Sequence, residues 1–409
     1  MSKQQEDSGW LELLLEFISH LKIDSKETGG ASPLKLYGSQ KRFLAEVCEG
    51  LNRNVHHFVN LKARQLGIST ISLAIDLFWL SVHPGLQGAL VTDTEGNRNK
   101  FRIILERYIK LMPAGYRVGI DKSNRDNLVL SNGSVLDYIV AGKKQSGTDI
   151  ARGRAYNFLH ATEVANYGSH EGVISLFATL AEKNPDRLYI FESTAKGFNL
   201  FWKMWRQAVE DPISQKAFFI GWWANEQYAL DNEDPLFERY WDGTLNEDEQ
   251  EKINDLSERY SIRLTPNQLA WYRWKQDTRV GVQTMMEQEF PWTEEEAFVK
   301  TGSAFFPVKK VGQMIERLDE NPPPFKGYVY EMTDNFMNTR VIQVDDVSDA
   351  ELKVYEEPSP IGKYAMGIDP AYGRSENQDR SVISLWRCYA DRFVQVCAYA
   401  TPHPETRQV

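Results

Sequence analysis

Cysteine is nearly absent from this chain. Among 409 residues there are three, Cys48, Cys388 and Cys397. Their positions show no metal-ligand spacing, so neither a disulfide framework nor a zinc site is expected, and buried thiols in a reducing compartment fit. The seven histidines form no HExxH pattern and no zinc-like cluster. Long apolar runs are also missing. The longest, Ile71 to Val82, carries Asp76 and is too short to span a bilayer, so no membrane partner is expected. The acidic N-terminus lacks a basic segment ahead of an apolar one, and no signal peptide is expected. Positive charge is in deficit. Lys and Arg number 47 against 57 Asp and Glu, a net charge of −10. That excludes a protein that coats DNA wholesale. Contact with nucleic acid would be local, transient or shared with another subunit.

What is present belongs to a large globular protein. The length allows two or three domains. Hydrophobic residues make up 42% and charged residues 25%, as in soluble folded chains. Eleven Trp and 12% aromatics argue against disorder over most of the length.

The organising stretch is Leu61-Lys-Ala-Arg-Gln-Leu-Gly-Ile-Ser-Thr70. A β-favouring run (Phe58, Val59, Leu61) precedes it, and an amphipathic run follows. Strand, polar glycine loop and helix are the setting of a nucleotide P-loop, whose backbone N–H groups and helix N-terminus face phosphate. Against the pattern G-x-x-x-x-G-K-[ST], Gly67 fills the second glycine and Ser69 the hydroxyl slot, with Thr70 next to it. Ile68 stands in the lysine slot and Lys62 in the first-glycine slot. A phosphate-binding cation must therefore come from Lys62 or Arg64. An ordinary strand–turn–helix would also carry these residues.

Upstream, Trp10, Leu11, Leu14, Leu15, Phe17, Ile18 and Leu21 fall at helical spacing, and residues 24–33 read as a linker. Tyr37 and Gln40 precede a helix from about Lys41; ring and amide could clamp an adenine, or Gln40 could be a surface residue at a helix start. Downstream, Gly88 to Thr92 reads as a buried strand. Leu128 to Leu130 and Ser134 to Val140 read as a hairpin. Strand–helix alternation predicts a doubly wound, mostly parallel sheet. Gly142 to Arg154 is a basic glycine-rich loop that could offer an arginine finger or touch DNA phosphate, or simply be solvated.

Tyr156 to Glu163 reads as a strand ending in a hydroxyl and a carboxylate. In a P-loop NTPase this strand holds the Mg²⁺ partner and the base that orients water. Glu163 would polarise the water. Thr162 stands where Asp is usual, so magnesium contact there would run through water or be absent. Arg187 to Phe191 is a further strand, leading into Glu192-Ser-Thr-Ala-Lys-Gly197. Ser193 and Thr194 sit where a γ-phosphate sensor would sit, and could equally cap the next helix.

Together these pieces resemble the large terminase subunit of tailed bacteriophages, the ATPase–nuclease of the DNA-packaging motor. Arg64-Gln-Leu-Gly-Ile-Ser-Thr70 is similar to that family's shifted P-loop, with Lys62 as the displaced cation. Gln40 could supply its adenine motif, Thr162-Glu163 its Walker B end, and Ser193-Thr194 its coupling motif. Ala151-Arg-Gly153 is familiar just before that Walker B. Thr265 to Lys275 and Gln288 to Phe298 look like the close of its ATPase domain. Tyr364 to Asp369, followed by Pro-Ala-Tyr-Gly, looks like the start of its RNase H-like nuclease.

The resemblance implies an ASCE-type P-loop fold with a helical lid and the start of an RNase H-like domain. The expected boundaries are 1–33 N-terminal helix and linker, 34–200 ATPase core, 201–316 lid, 317–362 linker and 363–409 incomplete nuclease. It implies ATP with Mg²⁺ bound near Ser69, and an arginine given in trans, for which Arg152 and Arg154 are candidates. Nuclease cleavage would use Mg²⁺ or Mn²⁺ on several carboxylates. Asp369 fits the first ligand, and Asp379 is either a second or a hairpin residue. Because the chain stops at Val409, it is expected to be cut inside the nuclease and not to cleave DNA. Implied partners are double-stranded DNA, portal protein or procapsid, a small terminase subunit, and further copies in a ring on the portal. The implied location is the host cytoplasm. A helicase or remodelling ATPase would not explain Gly367-Ile-Asp-Pro. A catalytically degenerate scaffold draws support from Ile68 and Thr162. The acidic stretch Asn225 to Tyr260 reads as a solvated helical face, or as a contact for a basic partner.

Overall fold

The structure is a computed structural model and describes residues 9–24, 30–141, 155–168, 170–278, 286, 288–298, 314–315, 317–318, 320–333, 338–344, 350–369 and 381–401. The chain divides into two units, Met1–Val308 and Lys309–Val409. Arg152, Arg154 and Asp379 lie outside the described residues.

In the first unit, helix α1 (Gly9–Ser19) and a short hairpin, β1 (Lys22–Asp24) with β2 (Ala31–Pro33), precede helix α2 (Gly38–Asn52). The segment expected as a plain linker thus contains two paired strands. Trp10 and Phe17 put the apolar face of α1 against Phe78 and Trp79. Next come β3 (His57–Lys62), helix α3 (Ile68–Val82), β4 (Gln87–Thr92) and helix α4 (Glu95–Leu111). Three strands follow, β5 (Ile120–Ser123), β6 (Asn127–Leu130) and β7 (Val135–Val140), then β8 (Phe158–Thr162), α5 (His170–Phe177), β9 (Leu188–Ser193), α6 (Leu200–Glu210) and β10 (Lys216–Ile220).

The sheet order is β10-β3-β9-β8-β4-β7-β6-β5. The first six strands run parallel and the last two are antiparallel. Strands β3, β8 and β9 are buried almost throughout. A parallel sheet covered on both faces requires this, and it explains why these strands read as nearly continuous apolar runs. β9 lies between β3, which leads into the glycine loop, and β8, which ends just before Glu163. The carboxyl ends of the three strands therefore stand side by side, where open α/β sheets place their sites. β10 pairs with β3, so the sheet continues past residue 200, where the lid was expected to begin.

Beyond β10 lie a short 3-10 turn (Trp222–Ala224), α7 (Pro235–Tyr240), α8 (Glu247–Tyr260), α9 (Pro266–Thr278) and α10 (Glu294–Ala297). Asp234, Asn246 and Thr293 cap three of these helices, and α7 starts at Pro235. Trp222, fully buried, stacks on Trp271 and Tyr272 and meets Trp292 edge-on. Part of the acidic run is neutralised within this region. Arg273 pairs with Glu249, Lys252 with Asp248 and Glu296, and Arg259 with Asp255, Glu294 and Glu295.

The second unit is a six-stranded sheet of β11 (Lys326–Thr333), β12 (Asn338–Val344), β13 (Leu352–Val354), β14 (Lys363–Asp369), β15 (Ser381–Cys388) and β16 (Phe393–Thr401). All its pairings are antiparallel, in the order β12-β11-β13-β16-β15-β14. The expected linker 317–362 is corrected here: β11 to β13 hydrogen-bond into the same sheet as β14 to β16. Their short, interrupted pattern reads as a linker only when the partner strand β16 is not in view. No helix among the described residues is long and apolar enough to cross a membrane.

Trp222 holds the region after β10 together, so Trp222→Ala should cost about 3–5 kcal/mol of stability. A urea denaturation midpoint shifted by under about 1 kcal/mol would show that the tryptophan cluster contributes little.

Candidate active site

Three strand ends and one helix N-terminus make the site. Lys62 ends β3, Glu163 follows β8, Glu192 and Ser193 end β9, and α3 starts just beyond the loop Ala63 to Gly67. The Lys62 side chain is 7% exposed. Its Nζ donates to Glu163 Oε1 at 2.8 Å and lies 3.5 Å from Glu192 Oε2. Burial works against its charge, but the two carboxylates outweigh that and keep Nζ protonated.

The charge chain continues inward. Glu192 is fully buried. Its Oε1 accepts from Thr162 Oγ1 at 2.7 Å and lies 3.5 Å from His160 Nε2. His160 Nδ1 is 2.7 Å from Asp76 Oδ2, both side chains fully buried. Burial alone would raise the Glu192 carboxyl; Lys62, His160 and Thr162 instead hold it down at about 2. Burial opposes charge on His160, yet Asp76 and Glu192 push its pKa up to about 9. Burial pushes the Asp76 carboxyl up in turn, opposed by its bond to His160. Thr162 was expected at a magnesium position; its hydroxyl is instead spent on Glu192.

The loop itself is braced from α2. Ser39 Oγ, buried, donates to Leu66 O at 2.9 Å, and Gln40 Nε2 donates to Gly67 O at 3.0 Å. Gln40 Oε1 accepts from Tyr37 N at 3.0 Å. Both ends of the Gln40 amide are thus engaged within the chain, whereas the sequence suggested contact with adenine. Gly67 has φ +72°, a conformation that favours glycine, and a Cβ there would lie 2.7 Å from Gln40 Nε2, so a larger residue would also displace the Gln40 amide. Gln65 and Glu163 also adopt left-handed φ, at 57° and 56°, a conformation that costs a non-glycine residue roughly 1 kcal/mol or more.

The turn after Glu163 is pinned from several sides. Ser193 Oγ accepts from Ala165 N at 3.0 Å, and Asn199 Nδ2 donates to Ala165 O at 3.0 Å. Tyr167 O–H reaches both Val91 O and Thr162 O. Ser193 therefore joins β9 to the turn that carries Glu163. Thr194, half-buried, follows it. Arg64 pairs with Glu289.

No group of three or more His, Cys, Asp or Glu among the described residues could hold a metal unaided. A magnesium ion that arrives with nucleotide phosphates needs only one or two protein oxygens. Ser69, half-buried in the first turn of α3, fits that role, with Thr70 beside it. In the second unit Asp369 stands exposed at the end of β14.

Sequence reasoning missed Ser39, Asp76, His160, Glu192 and Glu289. Three of them are charged or polar residues inside apolar elements, and that was the available signal.

No protein-family model matches the chain, and no curated protein matches it. Among solved structures it is similar to the large terminase of bacteriophage HK97, at 15% identity over 94% of this chain and 67% of that one, TM-score 0.48. It is also similar to the large terminase of a thermophilic bacteriophage in complex with ADP, at 13% identity over 90% of this chain and 68% of that one, TM-score 0.42. The large terminase ATPase domain of Thermus phage P74-26 aligns at 17% identity over 58% of this chain and 87% of its own, TM-score 0.35. The chain spans 63% of the length of another structure of the thermophilic phage protein. All of these are phage large terminases, the family that the order of motifs resembles.

His160 contributes stability that is full below its unfolded pKa of about 6.5 and is lost as pH rises through about 9. Unfolding free energy should fall across that window by an amount on the order of 3 kcal/mol. His160→Gln should be less stable at pH 6 and should lose this alkaline slope. Equal slopes for the two proteins in urea titrations from pH 6 to 9.5 would refute the charged imidazole.

Proposed function

We propose that this chain binds and hydrolyses ATP at the Lys62–Glu163 site. The observation that carries the reading is the meeting of those two side chains at 2.8 Å, at the ends of β3 and β8 on either side of β9, beside the glycine loop and the N-terminus of α3. Lys62 supplies the phosphate-binding cation from the strand side. The unpaired N–H groups of the first turn of α3 supply the anion cradle. Ser69 would hold Mg²⁺, which would supply positive charge to offset that of the phosphates. Glu163 accepts the proton of the attacking water, whose oxygen bonds to the γ-phosphorus as the β–γ bridging P–O bond breaks.

The resting pair has a consequence for turnover. While Lys62 holds Glu163, the carboxylate is unavailable as a base. A nucleotide phosphate is the stronger partner for Lys62 in both charge and number of acceptors, so binding frees Glu163 when there is substrate to hydrolyse. Glu192 keeps His160 and Thr162 as partners when Lys62 moves.

The ordered motifs extend the proposal to an ATP-driven translocase of double-stranded DNA, the motor of a terminase large subunit, acting as a ring on a portal or procapsid with a small subunit in the host cytoplasm. The sheet of the second unit, with Asp369 at a strand end, is proposed as part of a metal-dependent nuclease domain. The net charge of −10 predicts that an isolated subunit binds DNA weakly and loses it steeply with salt.

Glu163→Gln should keep ATP-analogue binding and lower ATP turnover by about 10²- to 10⁴-fold. The measurement is steady-state phosphate release with and without double-stranded DNA, with circular dichroism as the check on folding. Unchanged turnover in Glu163→Gln would remove Glu163 from the chemistry.

A further inference from the structure

Behind the Lys62–Glu163 pair lies a second claim on the same lysine. Glu192 Oε2 is 3.5 Å from Lys62 Nζ. Glu192 is fully buried, so water cannot take over its charge when Lys62 turns to a phosphate. The compensation must be internal. Among the described residues, its other ion-pair partner is His160, with Nε2 3.5 Å from Oε1. Thr162 Oγ1 donates to the same Oε1 at 2.7 Å. His160 in turn faces Asp76 in the middle of α3, with Nδ1 2.7 Å from Oδ2. The Asn60 amide, opposite Glu192 on β3, donates instead to Leu61 O and Phe218 O.

The strand geometry makes this arrangement. His160 and Thr162 are two residues apart on β8 and share one face of the sheet. Thr162 lies directly opposite Glu192 in the β8–β9 pairing. One carboxylate is therefore approached by Lys62 at one oxygen and by two donors of β8 at the other. How firmly it holds Lys62 depends on how much of its charge those donors answer. With both in place, Glu192 can lose the ammonium and stay paired. With either removed, Lys62 becomes its main counter-charge, and drawing Lys62 to phosphate would strand a buried anion.

We infer that His160, held by Asp76, is a positioning residue for nucleotide binding, which answers the charge of Glu192 from behind so that Lys62 can leave Glu192 for phosphate. The inference rests on the ATP-site reading. His160 is fully buried and does not touch the reacting atoms; it acts through Glu192 on Lys62. Glu192 is then a competitor of phosphate for the lysine, distinct from Glu163, which competes for it as the base.

The test measures the affinity of the whole chain for a non-hydrolysable ATP analogue with Mg²⁺, with circular dichroism as the check on folding. Glu192→Gln keeps an acceptor for Thr162 and removes the charge that competes for Lys62. It should bind the analogue about three- to tenfold more tightly. His160→Gln should bind about tenfold more weakly, and adding Glu192→Gln to it should restore the unmutated affinity or better. Damage that passes through the fold would weaken binding in all three proteins, most of all in the double variant. Should His160→Gln misfold, Thr162→Val removes the other donor to Glu192; it should bind about threefold more weakly and be rescued in the same way. Equal or weaker affinity in a folded Glu192→Gln, unchanged affinity in a folded His160→Gln, or a double variant no tighter than its single parent overturns the inference and leaves the ATP site standing. Absence of any analogue binding by the unmutated chain overturns both.

Discussion

A buried lysine is the constraint on which the site depends. Lys62 lies at the end of a central strand with little access to water, and a lone ammonium there would be prohibitively costly. The fold meets this by bringing carboxylates from the two strands beyond it. Glu163 comes from the end of β8 and Glu192 from the end of β9. That arrangement exists only because β9 is inserted between β3 and β8. A sheet with β3 directly beside β8 would leave no place for Glu192, and the excess negative charge would have no route to His160. The line from Lys62 through Glu192 and His160 to Asp76 thus ties the strand ends to the middle of α3. Its inner members each have two partners, so that Glu192 without Lys62 would still have His160 and Thr162.

The backbone around this line is shaped by the same demand. Gln65, Gly67 and Glu163 all take left-handed φ values, and they surround Lys62 in the chain or in space. A strained turn persists when its surroundings over-determine it. Ser39 and Gln40 do this for the loop, and Ser193, Asn199 and Tyr167 do it for the turn after Glu163. The Ser193 hydroxyl is a bond between the end of β9 and the turn after Glu163. Gln40 is tied to the loop, so its effect on a nucleotide would pass through the position of Gly67.

Much of this was legible before the structure. The parallel strands, the hairpin of β6 and β7, the P-loop and the carboxylate after β8 were visible because buried strands read as apolar runs and loops carry their turn chemistry locally. The charge chain was not. Asp76 looked like an interruption of an apolar run, and Glu192 like the start of a polar loop. Each becomes significant only when topology brings together residues far apart in the chain, such as Lys62 and Glu163, 101 positions apart. Strands β11 to β13 were read as linker pieces for a related reason. Their pairing partner β16 comes later in the chain, and periodicity over three to eight residues cannot reveal a long-range ladder.

The position of the cation decides how such a site would work. A lysine on the helix side of a P-loop is mobile and solvated until phosphate arrives. Lys62 is neither: it is enclosed and already bonded to the acid that would serve as base. Binding and activation are then one event, because the same ammonium cannot satisfy Glu163 and a phosphate equally. Loss of phosphate would return Lys62 to Glu163 and switch the base off.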